Sequence, residues 1–433
     1  MSQEEHTDGG CREYQELSRR GFLGVSKLAA AAALTAPAWL PRVVLARDYG
    51  SRDAIVVVFL RGAIDGLSAI VPYGDVNYYS QSLRPNLAVP PPGNTGGATD
   101  LDGFFGLSPA MAPLLTAYDS GQLAIVQATG SPDPSRSHFD SFKIMEYGTP
   151  LQPLTLTTGW LGRHIQSVPP LGNGLLRAVA VSDIVPKTLV GAPATVPVPD
   201  PANYLFPGVS VTAVDRREVL EASYATAQEP LATASVSTLD TIDLLGTIDF
   251  KGYQPSGGAV YPNSPFGNAL KSTAALLKAD IGLEAATIDK GGWDTHNAQG
   301  NLSGNMFNLM SDLSAGLAAF HLDIQSKMGE MTLVLMSEFG RRADQNGSLG
   351  TDHGHGNIMM AMGGNIAGGQ VLATDWTVEN PLLHPDLLHQ GDSLSVTIDY
   401  RDVVSEVLER RLGNNDLATV FPNYTPSFPG ITV

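Results

Sequence analysis

The hydrophobic residues of this chain occur either in short unbroken runs or at the three- and four-residue spacing of a helix. The runs AIVVVFL at 54–60 and MTLVLMS at 331–337 predict strands that are buried on both faces. GLEAATID at 282–289 predicts a further strand, and apolar residues between Met306 and Ile324 then mark an amphipathic helix. Strands and helices that alternate in this way predict an α/β fold, a three-layer sandwich around a mainly parallel central sheet.

Residues 190–265 interrupt the alternation, because they are rich in Pro, Ala, Ser, Thr and Gly and show weak periodicity. We interpret them as an insertion or a cap. The chain from 47 to 433 is then a single domain, long enough to bury a large core. It contains no apolar stretch of the length that spans a membrane, so we expect no integral membrane segment there.

The N-terminus has the pattern of an export signal. Arg19 and Arg20 are followed by a short alanine-rich apolar run, and Val-Leu-Ala closes this run at Ala46. Paired arginines predict a twin-arginine signal over 1–46, with the twin-arginine export machinery as a partner and a periplasmic or secreted product. Cys11 is the single cysteine and would leave with the signal. Disulfides, thiolate-bound zinc, iron–sulfur clusters and a cysteine nucleophile are thereby excluded from the mature protein.

The formal net charge of −17 argues against nucleic acid or an anionic membrane as the natural partner, since their phosphates would be repelled. An acidic chain without cysteine that binds a metal must do so through His, Asp, Glu or Asn side chains. We therefore expect the protein to bind divalent cations and a small anionic ester substrate.

Acidic and histidine residues follow the predicted strands at the point where each strand ends. In open α/β sheets, ligands bind beyond the carboxyl ends of the strands, and these ends share one edge. We expect a set of side chains to meet there and to hold divalent metal as two ions: Asp65, Asp294, His296, Asp352, His353 and His355. Histidine favours transition metals, although Zn, Mn, Fe, Mg and Ca are not distinguished.

Glu338 lies at the tip of another such strand and is a further candidate for the site. It could instead pair with Arg341 or Arg342, and Asp65 could cap the helix that follows it. His384 and His389 are interpreted as surface residues. His164 and His321 are interpreted as structural residues.

Several motifs together resemble an exported bacterial family, domain of unknown function 1501, itself similar to the alkaline phosphatase and sulfatase superfamily. They are FLRGAIDGLSAIVPYGD, SPDPSRSHFDSFKIMEYGTP, GWDTH, MSEFGRR and GTDHGHGN, in this order. The resemblance implies that Asp352 and His353 bind one metal ion, and that Asp294 and His296 bind another. It also implies that His355 takes the place of a last histidine ligand and Asp65 that of the carboxylate after the first strand.

The nucleophile departs from the sulfatase pattern, in which Cys or Ser stands two residues before Pro-Ser-Arg. Here PDPSR keeps Pro134 and Arg136 but has Pro132 at the nucleophile position. Ser131, Ser135 or Ser137 could supply a hydroxyl, with His138 orienting the substrate, or a metal-activated water could attack directly. Arg136 or Arg341 would then stabilise the anionic transition state.

Two functions remain open on this basis. The first is an exported, metal-dependent hydrolase of phosphate or sulfate esters, which the dense set of candidate ligands favours. The second is a non-catalytic envelope protein that keeps the superfamily fold and binds metal or a partner, which Pro132 favours.

Overall fold

A computed structural model describes residues 53–433 except 154, 171–174, 205, 207–212, 230, 379, 383 and 386. The export signal predicted over 1–46, with Cys11, lies outside the described residues and stays a prediction. Within the part of the chain that is described, no helix has the length and apolar character needed to cross a membrane.

The regular elements follow the apolar pattern of the sequence. The strands are β1 (Ala54–Leu60), β2 (Ile70–Val71), β3 (Thr99–Asp100), β4 (Gly106–Leu107), β5 (Leu123–Gly130), β6 (Ala178–Ala180), β7 (Thr195–Pro197), β8 (Ala285–Lys290), β9 (Met331–Ser337), β10 (Asn357–Gly363), β11 (Gln370–Leu372), β12 (Leu388–His389), β13 (Ser393–Leu394) and β14 (Ile398–Asp399). The α-helices are α1 (Gly66–Ala69), α2 (Leu115–Asp119), α3 (His138–Tyr147), α4 (Trp160–Ser167), α5 (Ala213–Ala225), α6 (Leu231–Gly246), α7 (Pro265–Lys278), α8 (Asn305–Asp323), α9 (Tyr400–Arg410) and α10 (Leu417–Val420).

A central sheet joins nine of these strands in the order β11-β5-β10-β9-β1-β8-β6-β7, with β14 also paired to β5. Most neighbouring strands are parallel, including β1 with both β8 and β9. The exception is β10, which is antiparallel to both of its neighbours, β5 and β9.

Alternate residues of β1 belong to two different hydrophobic cores. Val56 and Val58 pack in a core that includes residues of α7 and α8, whereas Ile55 and Val57 pack in one that includes residues of α4 and α9. Helices therefore cover both faces of the sheet, and the predicted α/β sandwich with a mainly parallel sheet is confirmed.

Within 190–265, β7 lies at the edge of the sheet, and the helices α5 and α6 pack against each other. No residue of α5 is buried. The end of this region is fixed to α8 by the buried Asp323, whose Oδ2 accepts hydrogen bonds from the hydroxyls of Tyr253 and Tyr261. A capping role for the region stays a prediction.

The direction of β10 decides which loops meet. Because β10 runs against β5 and β9, its beginning lies beside their carboxyl ends. The GTDHGHG stretch at 350–356 precedes β10 rather than following a strand, and it still reaches the edge where β1, β5, β8 and β9 end.

A buried ion pair fixes the turn after β1. Both carboxylate oxygens of Asp65 accept hydrogen bonds from Arg84, at 2.8 and 3.0 Å, and neither side chain is more than 1% exposed. Burial alone would raise the pKa of Asp65, but Arg84 holds it below its ordinary value. Arg84 also donates to the backbone oxygens of Arg342 and Ala343, which connects this turn to the segment that follows β9.

We expect Asp65→Asn to lower the free energy of unfolding by about 3–5 kcal/mol, because Arg84 would remain buried without its counter-charge. Urea unfolding followed by circular dichroism measures this loss. Asp100→Asn, which changes an exposed carboxylate, is the control. A loss no larger than that of the control would contradict the structural role of the pair.

Candidate metal centre

One carboxylate oxygen lies at the centre of a group of histidines at the carboxyl edge of the sheet. Oδ1 of Asp294 lies 3.1 Å from Nε2 of His296, 3.2 Å from Nε2 of His353 and 3.6 Å from Nε2 of His138. We call these four residues the histidine cluster. Within it, His138, Asp294 and His353 offer ligand atoms that all lie within 4.8 Å of one another.

The other ring nitrogen of each histidine faces a hydrogen-bond acceptor. Nδ1 of His138 lies 2.6 Å from Oε1 of Glu338, and Nδ1 of His296 lies 3.0 Å from Oδ1 of Asp352. Nδ1 of His353 lies 2.8 Å from the backbone oxygen of Arg136. Because ionised carboxylates and carbonyls only accept, these partners assign a proton to each Nδ1 and direct each Nε2 toward Asp294.

Glu338 orients His138 from the end of β9. Its Oε1 also accepts from the backbone N–H of Gly62 at 2.7 Å, and its Oε2 accepts from the Ser337 hydroxyl at 3.0 Å. The structure therefore pairs Glu338 with His138, and not with Arg341 or Arg342.

Arg341 fixes Asp294 and is not available to a substrate. Its Nη2 donates to Oδ1 of Asp294 at 2.7 Å, and its side chain is fully buried. The remaining donors of the guanidinium bond backbone oxygens of Gly62, Ala63, Trp293 and Thr351. The transition-state role predicted for Arg341 is corrected to a positioning role.

The charges of the cluster shift its pKa values. Burial alone would raise the pKa of Asp294, but the three imidazoles and Arg341 hold it well below its ordinary value. Burial opposes a charge on His138, yet hydrogen bonds to Asp294 and Glu338 raise its pKa to about 9. Burial lowers the pKa of His353, so its neutral form is favoured.

The glycines of GTDHGHG allow three close backbone approaches. A Cβ atom on Gly350 would lie 2.3 Å from the backbone carbon of His296, and one on Gly354 would lie 2.3 Å from that of Arg341. On Gly356 it would lie 2.3 Å from the backbone oxygen of Ser395. Any side chain at these positions would push the loop away from the residues that it contacts.

The two histidines of this loop lie in different surroundings. His353 joins the cluster, whereas the ring of His355 stacks on His389 with centroids 4.0 Å apart. Burial and nearby positive charge lower the pKa of His355 to about 4. His389, which we interpreted as a surface residue, is half-buried against this ring.

Two further predicted ligands do not face the centre. The Asp65 carboxylate accepts hydrogen bonds from Arg84, Ser68 and Gln299, and the structure does not bring it into the cluster. Asp352 is partly exposed and accepts from Asn346 as well as from His296, so it orients a histidine of the cluster.

Serines and an arginine adjoin the cluster in the segment between β5 and α3. Ser137 is the N-cap residue of α3, but its hydroxyl does not cap the helix. The hydroxyl of Ser135 accepts from the backbone N–H of Ser137 at 3.3 Å. The Arg136 guanidinium binds Asp392, at 2.8 and 3.1 Å.

A family model described as a protein of unknown function, DUF1501, matches residues 52–421. The chain belongs to the DUF1501 family. No curated protein sequence matches this DUF1501 protein.

Solved structures similar to this DUF1501 protein include the zinc complex of the C-terminal periplasmic domain of EcEptC from Escherichia coli. It has 10% sequence identity and a TM-score of 0.37, and the match covers 91% of this chain and 94% of that chain. The alkaline phosphatase from the Antarctic bacterium TAB5 has 11% identity and a TM-score of 0.28, over 72% of this chain and 92% of that one. The phosphonate monoester hydrolase of Agrobacterium radiobacter has 9% identity and a TM-score of 0.30, over 87% and 79%. Likenesses this low carry no argument about substrate or mechanism.

The raised pKa of His138 predicts how the stability of the chelator-treated protein depends on pH. A pKa raised from 6.5 to about 9 on folding contributes stability that is fully present below pH 6.5 and is lost as the pH rises through 9. The loss attributable to His138 is about 3 kcal/mol. Urea unfolding at pH 6.5 and 9.5 measures it.

His138→Gln should make the stability much less dependent on pH, whereas His321→Gln, which changes a buried histidine on α8, should not. Equal pH dependence in wild type and His138→Gln would contradict the assigned hydrogen bonds of His138.

Proposed function

We propose that this DUF1501 protein is an exported, metal-dependent hydrolase of phosphate or sulfate esters. In this proposal a divalent ion is held by His138, Asp294 and His353. The observation that carries the proposal is that Nε2 of His353 faces two other potential ligand atoms, Oδ1 of Asp294 and Nε2 of His296.

His353 shows this most clearly. Its Nδ1 donates to a carbonyl, so in the neutral ring Nε2 carries a lone pair. That lone pair faces Oδ1 of Asp294 at 3.2 Å and Nε2 of His296 at 2.9 Å, and His296 has its own Nδ1 directed at Asp352. Acceptors this close repel one another unless a proton or a metal cation lies between them.

The donor set fits a transition metal. Imidazole nitrogens and one carboxylate are common ligands of Zn, Fe and Mn, and histidines that bind metal usually donate their other N–H to a carboxylate or a carbonyl. All three histidines of the cluster have such a partner. His296, a quarter exposed, lies on the side open to solvent and is a further ligand or a general base. The prediction of two ions stays a prediction, since the described residues offer one such group.

A divalent ion bound here would act as a Lewis acid toward an ester oxygen. The residues of the chain prepare the site for it. Arg341 keeps Asp294 ionised and in place, and Glu338 and the Arg136 carbonyl keep Nε2 of His138 and His353 directed at the centre. Arg136 and Arg342 add positive charge at the rim, which favours an anionic substrate.

If a hydroxyl of the protein attacks, its oxygen would bond phosphorus or sulfur as the bond to the alcohol breaks, its proton would pass to the departing alcohol oxygen, and water would then release phosphate or sulfate from the seryl ester. For the attacking hydroxyl we propose Ser137. It lies between Arg136, whose carbonyl contacts His353, and His138, and its hydroxyl is not used to cap α3. At the first turn of this helix, the positive end of the helix dipole favours the ionised hydroxyl. Attack by water remains the alternative.

The proposed export rests on the sequence alone, on Arg19 and Arg20 and the small-residue step that ends at Ala46. Cell fractionation of the full-length chain, with Arg19→Lys/Arg20→Lys as the comparison, tests it directly.

We expect purified wild-type protein to carry about one transition-metal ion per chain, and His138→Ala and His353→Ala to bind it at least about 100-fold more weakly. Elemental analysis after dialysis, followed by metal titration of the chelator-treated protein, measures both.

His321→Ala, which changes a buried histidine away from the cluster, should keep its metal. Asp65→Asn should also keep it in the folded fraction, because Asp65 pairs with Arg84. Metal content that survives both changes in the cluster, or that is absent from wild type, would contradict the centre.

We further expect hydrolysis of aryl phosphate or aryl sulfate esters, with kcat reduced at least about 100-fold in Ser137→Ala because the attacking group is lost. Ser135→Ala should change kcat by less than about threefold, since in this proposal Ser137 attacks and Ser135 only accepts a hydrogen bond from the backbone. Steady-state kinetics on both ester classes measures these effects.

Full activity in Ser137→Ala, together with loss in His353→Ala, would show that water attacks. Metal-loaded protein that hydrolyses neither class would instead favour the second function, a metal-binding or partner-binding envelope protein.

A further inference from the structure

Two arginines converge on one carboxylate beside the histidine cluster. Nη2 of Arg136 donates to Oδ1 of Asp392 at 2.8 Å, and its Nη1 donates to Oδ2 at 3.1 Å. Nη2 of Arg342 lies 3.3 Å from the same Oδ2. One negative charge is therefore shared by two positive charges.

The backbone places both arginines next to the proposed metal ligands. Arg136 donates from Nη1 to the backbone oxygen of His353 at 3.3 Å, while its own carbonyl orients the His353 ring. The backbone N–H of Arg342 donates to the backbone oxygen of Asp352 at 2.9 Å. Arg136 and Arg342 therefore each contact the backbone of the consecutive residues Asp352 and His353.

The Arg136–Asp392–Arg342 group is partly exposed to solvent, whereas the Asp65–Arg84 pair is fully buried. The exposed fractions of the side chains are 21% for Arg136, 25% for Asp392 and 38% for Arg342. This partial exposure lets an incoming anion reach both guanidinium groups and compete with Asp392 for their donors. A planar guanidinium binds a phosphate or sulfate group with the same two-pronged geometry as a carboxylate.

We propose that Arg136 and Arg342 form an oxyanion-binding subsite in which Asp392 occupies the position of a phosphate or sulfate group. When such a group binds, it takes over the donors of both arginines and Asp392 turns toward solvent. This inference rests on the proposed function: the subsite binds a second anionic group of the substrate. The enzyme therefore prefers esters with two or more anionic groups.

Titration calorimetry of inorganic phosphate into the chelator-treated, full-length protein tests the subsite without any dependence on metal or on turnover. Asp392→Asn removes the competing charge and keeps the shape, so we expect phosphate to bind at least about 10-fold more tightly than in wild type. Adding Arg342→Gln to Asp392→Asn should abolish most of this gain.

The matched controls lie on the α5–α6 pair, where Arg217 bonds Asp243 in another solvent-exposed ion pair. Asp243→Asn and Arg217→Gln make the same charge changes there and should leave phosphate affinity unchanged. An unchanged affinity in Asp392→Asn, or an equal gain in Asp243→Asn, would overturn the subsite.

Sulfate and acetate distinguish the class of anion. We expect the gain in Asp392→Asn to extend to sulfate but not to acetate, and an equal gain with acetate would contradict the preference for tetrahedral oxyanions. Should Asp392→Asn fail to fold, as judged by circular dichroism, Arg342→Gln alone must weaken phosphate binding at least about threefold relative to wild type; no weakening would overturn the proposal. Loss of metal binding or turnover leaves these outcomes unaffected, so the two proposals can fail separately.

Discussion

The contacts of a single atom, Oδ1 of Asp294, determine what this site can do. Arg341, His296 and His353 all approach it within 3.2 Å, and Arg341 is itself held by backbone oxygens from the turns after β1 and β8. Without the guanidinium, a buried carboxylate would favour its protonated form and lose its value as a ligand. Because both turns supply carbonyls to Arg341, the position of Asp294 depends on the correct pairing of β1 with β8 and β9.

The apolar pattern of the sequence predicts much of the architecture. The apolar runs that became β1, β8 and β9 carry a clear strand signal, and the spacing of apolar residues in α8 marks its buried face. The sequence does not predict that β10 is antiparallel to its neighbours, because an apolar run of this kind is compatible with either strand direction. The antiparallel course of this strand is set by its pairing with β9 and β5, which is a property of the assembled sheet.

The site was partly predictable, because several of its residues lie next to the ends of strands that the apolar pattern identifies. Asp294, His296 and His353 were recognisable as side chains beside strand ends, and the structure brings them together. Asp65 has the same position after a strand, but it pairs with Arg84. Arg84 lies outside the quoted motifs, so no motif indicates this pairing. His138 was expected to orient a substrate, yet its ring faces Asp294. The missed signal was that β5 ends at the same edge as β1, so the first histidine after it arrives beside the others.

The positions of the cluster residues along the chain have a consequence for the order of folding and metal loading. Asp294 and His296 follow β8, but His138 follows β5 and His353 precedes β10, and these two segments come together only when β5 and β10 are paired within the sheet. In the unfolded chain, a metal ion would therefore meet only the local Asp294–His296 pair and not the whole proposed ligand set. On the proposed metal binding, pairing of the strands assembles the ligand set, so full coordination of an ion depends on a folded sheet.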